Sequence, residues 1–199
     1  FLFLTYRHPV RKRIITSQHY LNGVFWSLLV GIAGGRLFYV ITNFGEFYAN
    51  PFDVFLPWEG GLVVLGSIVG VLIFAPLYLR HVGCTLFPLL DLVAMYAPLM
   101  QAIARIGCFF AGCCYGISAA TSLWWRVTFT HPEGVAPLHV ALHPAQIYAS
   151  LASFLIFLVL IATVKFVPLK HGVTLFFYLC LESVARFFVD FWRGDRGVL

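Results

Sequence analysis

The 199-residue chain is 61% hydrophobic and only 11% charged, with a mean hydropathy of +0.90. No soluble fold needs that much apolar surface, and its continuous apolar runs of about 20 residues are what spanning helices require, whereas a closed barrel would show short alternating segments. The formal charge of +5 falls mostly in loops, so it is a topogenic signal and not a footprint for nucleic acid.

The expected fold is therefore all-α, a polytopic helical membrane protein whose single domain covers 1–199 with five spanning helices. The chain has no initiator Met, opens on FLFLT like the tail of an earlier span and stops at RGDRGVL just past another, so it is expected to be a fragment. The opening loop carries Arg7, Arg11, Lys12 and Arg13. The first span, about 21–42, contains Arg36 directly after Gly34-Gly35. A loop without Lys or Arg, 43–59, leads into the second span, about 60–79, which is followed by Arg80. The third span, about 86–110, contains Arg105. An arm over 111–143, with Trp124, Trp125, His131 and Glu133, holds Arg126 as its one basic residue apart from histidines. The fourth span, about 144–164, precedes Lys165 and Lys170, and the fifth, about 172–192, contains Glu182, Arg186 and Asp190. Basic loops thus alternate with loops nearly free of Lys and Arg, which puts the N-terminal end in the cytoplasm and the 111–143 arm outside, on the periplasmic side.

Three arginines stand within these apolar spans. A guanidinium cannot shed its charge, and at a helix centre it costs about 2.5–3.5 kcal/mol even on the lenient insertion scale. On the expected topology Arg36, Arg105 and Arg186 lie at similar depth beneath the outer surface, where they could surround one cavity holding a phospholipid phosphate, an anion suited to the planar fork of Arg. Two of them have a plainer reading. Arg186 has Glu182 and Asp190 four residues to either side and could be neutralised on its own helix face. Arg36 follows a glycine pair that thins the helix for a close neighbour. Arg105 has no local acid and precedes Gly107, Gly112 and Gly116, which suit irregular backbone lining a cavity.

The segment Arg105-Ile-Gly107-Cys108-Phe-Phe-Ala-Gly112-Cys113-Cys114-Tyr115-Gly116 resembles the G-R-[IL]-G-N-F-[IV]-N-G-E-x-[YW]-G signature of the prolipoprotein diacylglyceryl transferase family. Four further blocks are similar to that family in the same order. They are Gly34-Gly35-Arg36-Leu37-Phe38-Tyr39-Val40, Trp58-Glu59-Gly60-Gly61, His143-Pro144-Ala145-Gln146-Ile147-Tyr148, and the stretch from Arg186 through Asp190 and Arg193 to Asp195. Together they cover about 20–196. The resemblance implies a seven-helix fold of which this chain would lack the first and last spans. It also implies an enzyme of the bacterial inner membrane, active towards the periplasmic side. Such an enzyme transfers the diacylglyceryl group of phosphatidylglycerol to the lipobox cysteine of a prolipoprotein, whose signal peptide it meets in the bilayer.

By motif match, Arg105 and Arg186 would grip the headgroup, and Arg36, Tyr39, Glu59, Gly60, Gly61, Cys108, Gly112, Gly116, Gln146, Tyr148 and Arg193 would bind substrate; His143, at the outer start of its span and with the intrinsic pKa for the role, is the candidate base. As a plainer reading, a His before Pro caps a helix entry. No cofactor is implied. The chain departs from the family where a His is expected and Leu65 stands, where an Asn is expected and Cys108 stands, and where N-G-E becomes Ala111-Gly112-Cys113; Ala149 replaces an acid after Tyr148. A non-catalytic relative that binds phosphatidylglycerol, or scaffolds another membrane protein, is the alternative. Cys108, Cys113 and Cys114 would face an oxidising compartment, where a Cys108–Cys113 or Cys108–Cys114 bridge would staple the loop. Their spacing is not that of a zinc site, and no metal is expected.

Overall fold

The computed structural model of the chain describes residues 1–47, 61–120, 122–132 and 134–194. Trp58, Glu59, Gly60, Glu133 and Asp195 lie outside the described residues. Two short helices, α1 (Leu2–Arg7) and α2 (Pro9–Ile14), precede α3 (Ser17–Thr42), a four-residue α4 (Phe44–Phe47), α5 (Val64–His81), α6 (Leu86–Phe110), α7 (Ala145–Phe166) and α8 (Val173–Asp190). The strands β1 (Val127–Thr128) and β2 (Ala141–Leu142) pair antiparallel within the arm. This is an all-α polytopic membrane protein: α3, α5, α6 and α7 are each long and apolar enough to cross a bilayer. The fifth expected span forms a helix, α8, that carries the charged Glu182, Arg186 and Asp190.

The chain divides into two compact units, residues 6–89 and residues 1–5 with 90–199. In the first, glycines let α3 and α5 touch backbone to backbone. A Cβ added at Gly34 would lie 2.6 Å from the Gly66 carbonyl oxygen, and one at Gly66 would lie 2.3 Å from that of Gly34. Gly66 and Gly70 form a G-x-x-x-G step, the small-residue spacing by which apolar helices gain dispersion contact where no hydrophobic effect drives them together. The opening loop is more than a topogenic signal. Arg11 is 2% exposed. It donates from Nε to the Tyr6 carbonyl at 2.8 Å and from Nη1 to Ser17 Oγ at 2.9 Å, with its guanidinium 4.5 Å above the Tyr6 ring.

In the second unit, α6, α7 and α8 are joined by polar ties between apolar faces. Ser150 on α7 donates to the Ala102 carbonyl on α6 at 2.8 Å. The Asp91 carboxylate on α6 accepts from the backbone N–H groups of Gly172 at 2.5 Å and Leu175 at 2.9 Å. It thereby caps the α8 N-terminus, where free N–H groups and the helix dipole favour an anion. At its other end α6 stops in a Schellman turn. Gly112 takes φ +66°, its N–H reaches the Phe109 carbonyl at 3.2 Å, and the Cys113 N–H reaches that of Cys108 at 3.1 Å.

Substituting Gly66→Val would drive a branched side chain into the α3 backbone and should cost about 1–3 kcal/mol. Gly31→Ala, whose new carbon would meet Val71 at an ordinary 3.5 Å, should change stability little. Thermal unfolding of the two variants in detergent, followed by loss of the monodisperse species, measures the difference.

Candidate functional site

The Schellman turn fixes where α6 ends and hence which face Arg105 presents. Arg105 on α6 and Arg186 on α8 line the same cleft, a space of about 420 Å³ in the second unit. Gln101 stands four residues before Arg105, and Glu182 four before Arg186, so one helical turn puts each on its arginine's face; both also line the cleft, together with Gln146, Arg193 and Cys114.

The cleft's charges are arranged so that the arginines stay open. Gln101 Nε2 donates to Glu182 Oε1. Asp190 pairs with Arg193 across 3.6 Å. Both carboxylates that could have neutralised Arg186 on its own helix are therefore engaged elsewhere, and the self-neutralised reading of Arg186 does not hold. Among the described residues neither Arg105 nor Arg186 makes a side-chain hydrogen bond or ion pair. Two acceptors are also left over: Gln146 Oε1 and Glu182 Oε2 are buried without a hydrogen-bond partner among the described residues. A buried acceptor in that state costs about 1–3 kcal/mol unless a ligand or water satisfies it. The cleft thus offers cations for an anionic group and acceptors for hydroxyl groups.

Around the cleft, the loop after α6 is held rigidly. Gln146 is 1% exposed and donates from Nε2 to the Cys113 carbonyl at 2.8 Å. Gly116 sits where three chain segments meet. A Cβ there would fall 2.2 Å from the His143 carbonyl oxygen, while the Gly194 N–H reaches the Tyr115 carbonyl at 3.0 Å and Gly116 bridges to Arg193. Gly112 and Gly116 therefore act through backbone geometry. Cys114 holds φ +56°, the left-handed region that a side chain seldom adopts. All five cysteines are free thiols, so neither expected bridge is formed. The sulfurs of Cys108, Cys113 and Cys114 lie within 4.8 Å of one another. Burial first, then its hydrogen bond and charge interaction with Cys108, pushes the Cys113 thiol up to about 11.

The H-P-A-Q-I-Y block splits between two places. Gln146 enters the cleft, whereas His143 and Tyr148 are not among its lining residues. The Tyr148 hydroxyl accepts from Trp125 Nε1 at 2.7 Å and lies 3.2 Å from His143 Nδ1. Its ring meets Trp192 edge-on at 6.0 Å. The pair therefore ties the arm to the ends of α7 and α8, and the expected base lies outside the cleft lining.

In the first unit, Arg36, Tyr39 and Gly61 come together. Arg36 is 8% exposed, donates from Nη1 to the Gly61 carbonyl at 3.3 Å, and places its guanidinium 5.6 Å from the Tyr39 ring centre. Gly61 has φ +74°, and a Cβ there would lie 2.4 Å from the Tyr39 ring. This favours the helix-joining reading of Arg36. Leu65, at the position where the family pattern has His, is 55% exposed on α5. Sequence pattern alone does not single out Gln101, and it makes Glu182 only a neutraliser of Arg186. The matched four-residue spacing from each to its arginine was the signal available.

Comparison with known proteins places these residues in a family. A family model described as prolipoprotein diacylglyceryl transferase matches residues 1–199. The chain is 36% identical over 188 residues to a phosphatidylglycerol–prolipoprotein diacylglyceryl transferase of Clostridium tetani, covering 94% of this chain and 74% of that protein. It is 33% identical over 187 residues to phosphatidylglycerol–prolipoprotein diacylglyceryl transferase 2 of Clostridium perfringens, covering 94% and 72%. To the similarly named protein of Thermotoga maritima it is 32% identical over 203 residues, covering 97% and 68%.

Replacing Gly116→Ala should destabilise the second unit by about 1–3 kcal/mol, because neither the His143 carbonyl nor the Arg193 bridge can retreat independently. Limited proteolysis of the arm in detergent should show faster cleavage in the variant than in the parent chain.

Proposed function

The chain belongs to the prolipoprotein diacylglyceryl transferase family, and we propose that it transfers the diacylglyceryl group of phosphatidylglycerol to a prolipoprotein in the cleft between α6, α7 and α8. The observation that carries the reading is the pair of unengaged guanidinium groups beside two unpartnered buried acceptors. A phosphatidylglycerol headgroup has the complementary chemistry. Its phosphate is an anion for Arg105 and Arg186, and its terminal glycerol carries hydroxyl donors for Glu182 and Gln146.

In the reaction the sulfur of the incoming cysteine attacks the glyceryl carbon that bears the phosphate. A carbon–sulfur bond forms, the carbon–oxygen bond breaks, and the electron pair leaves with glycerol phosphate. Charge develops on the departing phosphate oxygen, where Arg105 and Arg186 act as preorganised cations. Arg193 lines the same cleft but is paired with Asp190. The attacking species is a thiolate, so the thiol proton must go elsewhere; His143 is a weak candidate for it, being placed with Tyr148 and Trp125.

The distribution of Lys and Arg among loops supports an orientation with the arm on the periplasmic side of a bacterial inner membrane. With α8 as the fifth span, the cleft would open near the outer leaflet, where a signal peptide anchored in the bilayer presents its cysteine. The chain would then work as one transmembrane domain.

The full chain, reconstituted with phosphatidylglycerol radiolabelled in its acyl chains and a lipobox peptide, should place label on the peptide cysteine. Arg105→Ala should lower the rate about 100-fold or more, as loss of one transition-state donor does, and Arg186→Ala should act similarly. Glu182→Gln should weaken lipid binding more than it slows turnover. Lipid retained without any transfer would instead identify a phosphatidylglycerol-binding relative.

A further inference from the structure

Three thiols stand at the edge of the cleft where the family pattern has an amide, an acid and an unspecified residue. Cys108 comes from the last turn of α6, and Cys113 and Cys114 follow its Schellman turn. Their sulfurs lie within 4.8 Å of one another. Cys114 also lines the cleft with Arg105 and Arg186.

The spacing of these sulfurs suits a soft cation. With zinc–sulfur bonds of 2.3 Å, the sulfurs of a tetrahedral site sit about 3.8 Å apart, so the trio needs to contract by about 1 Å at most. Nothing in the cluster suits magnesium or calcium, which take oxygen ligands; three thiols select a thiophilic d10 ion. The backbone carrying them is already set. The Cys113 carbonyl is held by the buried Gln146, the Cys113 N–H by the Cys108 carbonyl, and the Tyr115 carbonyl by the Gly194 N–H. Cys114 is kept at a positive φ of 56°, a conformation that persists only where its surroundings impose it.

We infer that Cys108, Cys113 and Cys114 bind one zinc ion, whose fourth position takes the thiol of the incoming prolipoprotein cysteine. Three protein ligands with one exchangeable position are the arrangement of a reactive zinc site, as opposed to a closed structural one. A thiol that coordinates zinc gives up its proton. The proton passes to water, the zinc keeps its oxidation state, and the bound thiolate is the sulfur that attacks the glyceryl carbon. This assigns the deprotonation that Leu65 cannot perform and for which His143 is poorly placed. The role of the fourth position rests on the transferase reading; the three-thiolate site does not.

The test uses the full chain in detergent, reduced, freed of metal with a chelator and titrated with Co2+ as a spectroscopic substitute for Zn2+. One equivalent should produce a thiolate-to-cobalt charge-transfer band, displaced by Zn2+. Cys108→Ser, Cys113→Ser and Cys114→Ser should each abolish or strongly weaken it, and Cys180→Ser should leave it intact; thermal unfolding without metal identifies any variant that fails to fold. A lipobox peptide should change the band, and its Cys→Ser version should not. Absence of the band, or a disulfide within the trio in chain purified under reducing conditions, overturns the zinc site. A band indifferent to the peptide overturns the fourth-position role. Transfer measured separately keeps the two readings apart. A chain that transfers label without a cobalt band loses the zinc and keeps the transferase. A chain with a peptide-sensitive band and no transfer does the reverse.

Discussion

A guanidinium carried into an apolar bundle stays charged, and everything around the cleft is arranged in answer to that fact. Replacing Arg105 or Arg186 by Lys would give a group able to neutralise itself by losing a proton; arginine has no such escape. The nearby acids could have closed the matter within the protein. Instead Glu182 is turned to Gln101 and Asp190 to Arg193, and the two arginines are left for something from outside. Among the described residues no carboxylate closes on either guanidinium, and the proposed anion site rests on that openness.

Such openness requires a rigid frame, and the frame is made of backbone contacts more than of side-chain packing. Between apolar helices in lipid there is no hydrophobic gain from association, so close approach and polar ties take its place. In the first unit this is the meeting of Gly34 with Gly66. In the second it is Asp91 at the α8 N-terminus, Ser150 on the Ala102 carbonyl, and Gly116 wedged against His143. Gly34, Gly61 and Gly116 of the sequence motifs are thus explained by geometry: where each stands, a single added carbon would collide with backbone or ring.

The residues that depart from the family pattern fall into two physically different groups. Leu65 is exposed on α5 and offers no chemistry. The cysteines, by contrast, gather their sulfurs into one cluster, and one of them joins the cleft lining. Loss of a base in one place and gain of three soft ligands in another are consistent with a site rebuilt around the same arginines.

Composition and apolar run length determined the class, because the bilayer demands continuous stretches of fixed length whatever the fold; of the five expected spans, four are long and apolar enough to cross. The helices α3, α5, α6, α7 and α8 accordingly appear within a few residues of where hydropathy puts them. The arginines were legible for the same reason, since a charge in an apolar run stands out against its background. Partnership was not legible. Glu182 and Asp190 sit at helical spacing from Arg186, and only the packing of α6 on α8, with Gln101 facing across, decides that Glu182 bonds to a glutamine 81 residues away. Likewise the spacing of Cys108, Cys113 and Cys114 resembles no metal motif, yet a Schellman turn and a positive φ bring the sulfurs together. Sequence periodicity reports which face of a helix a residue occupies; which group meets it there is set by contacts between segments far apart in the chain, and those exist only in the folded molecule.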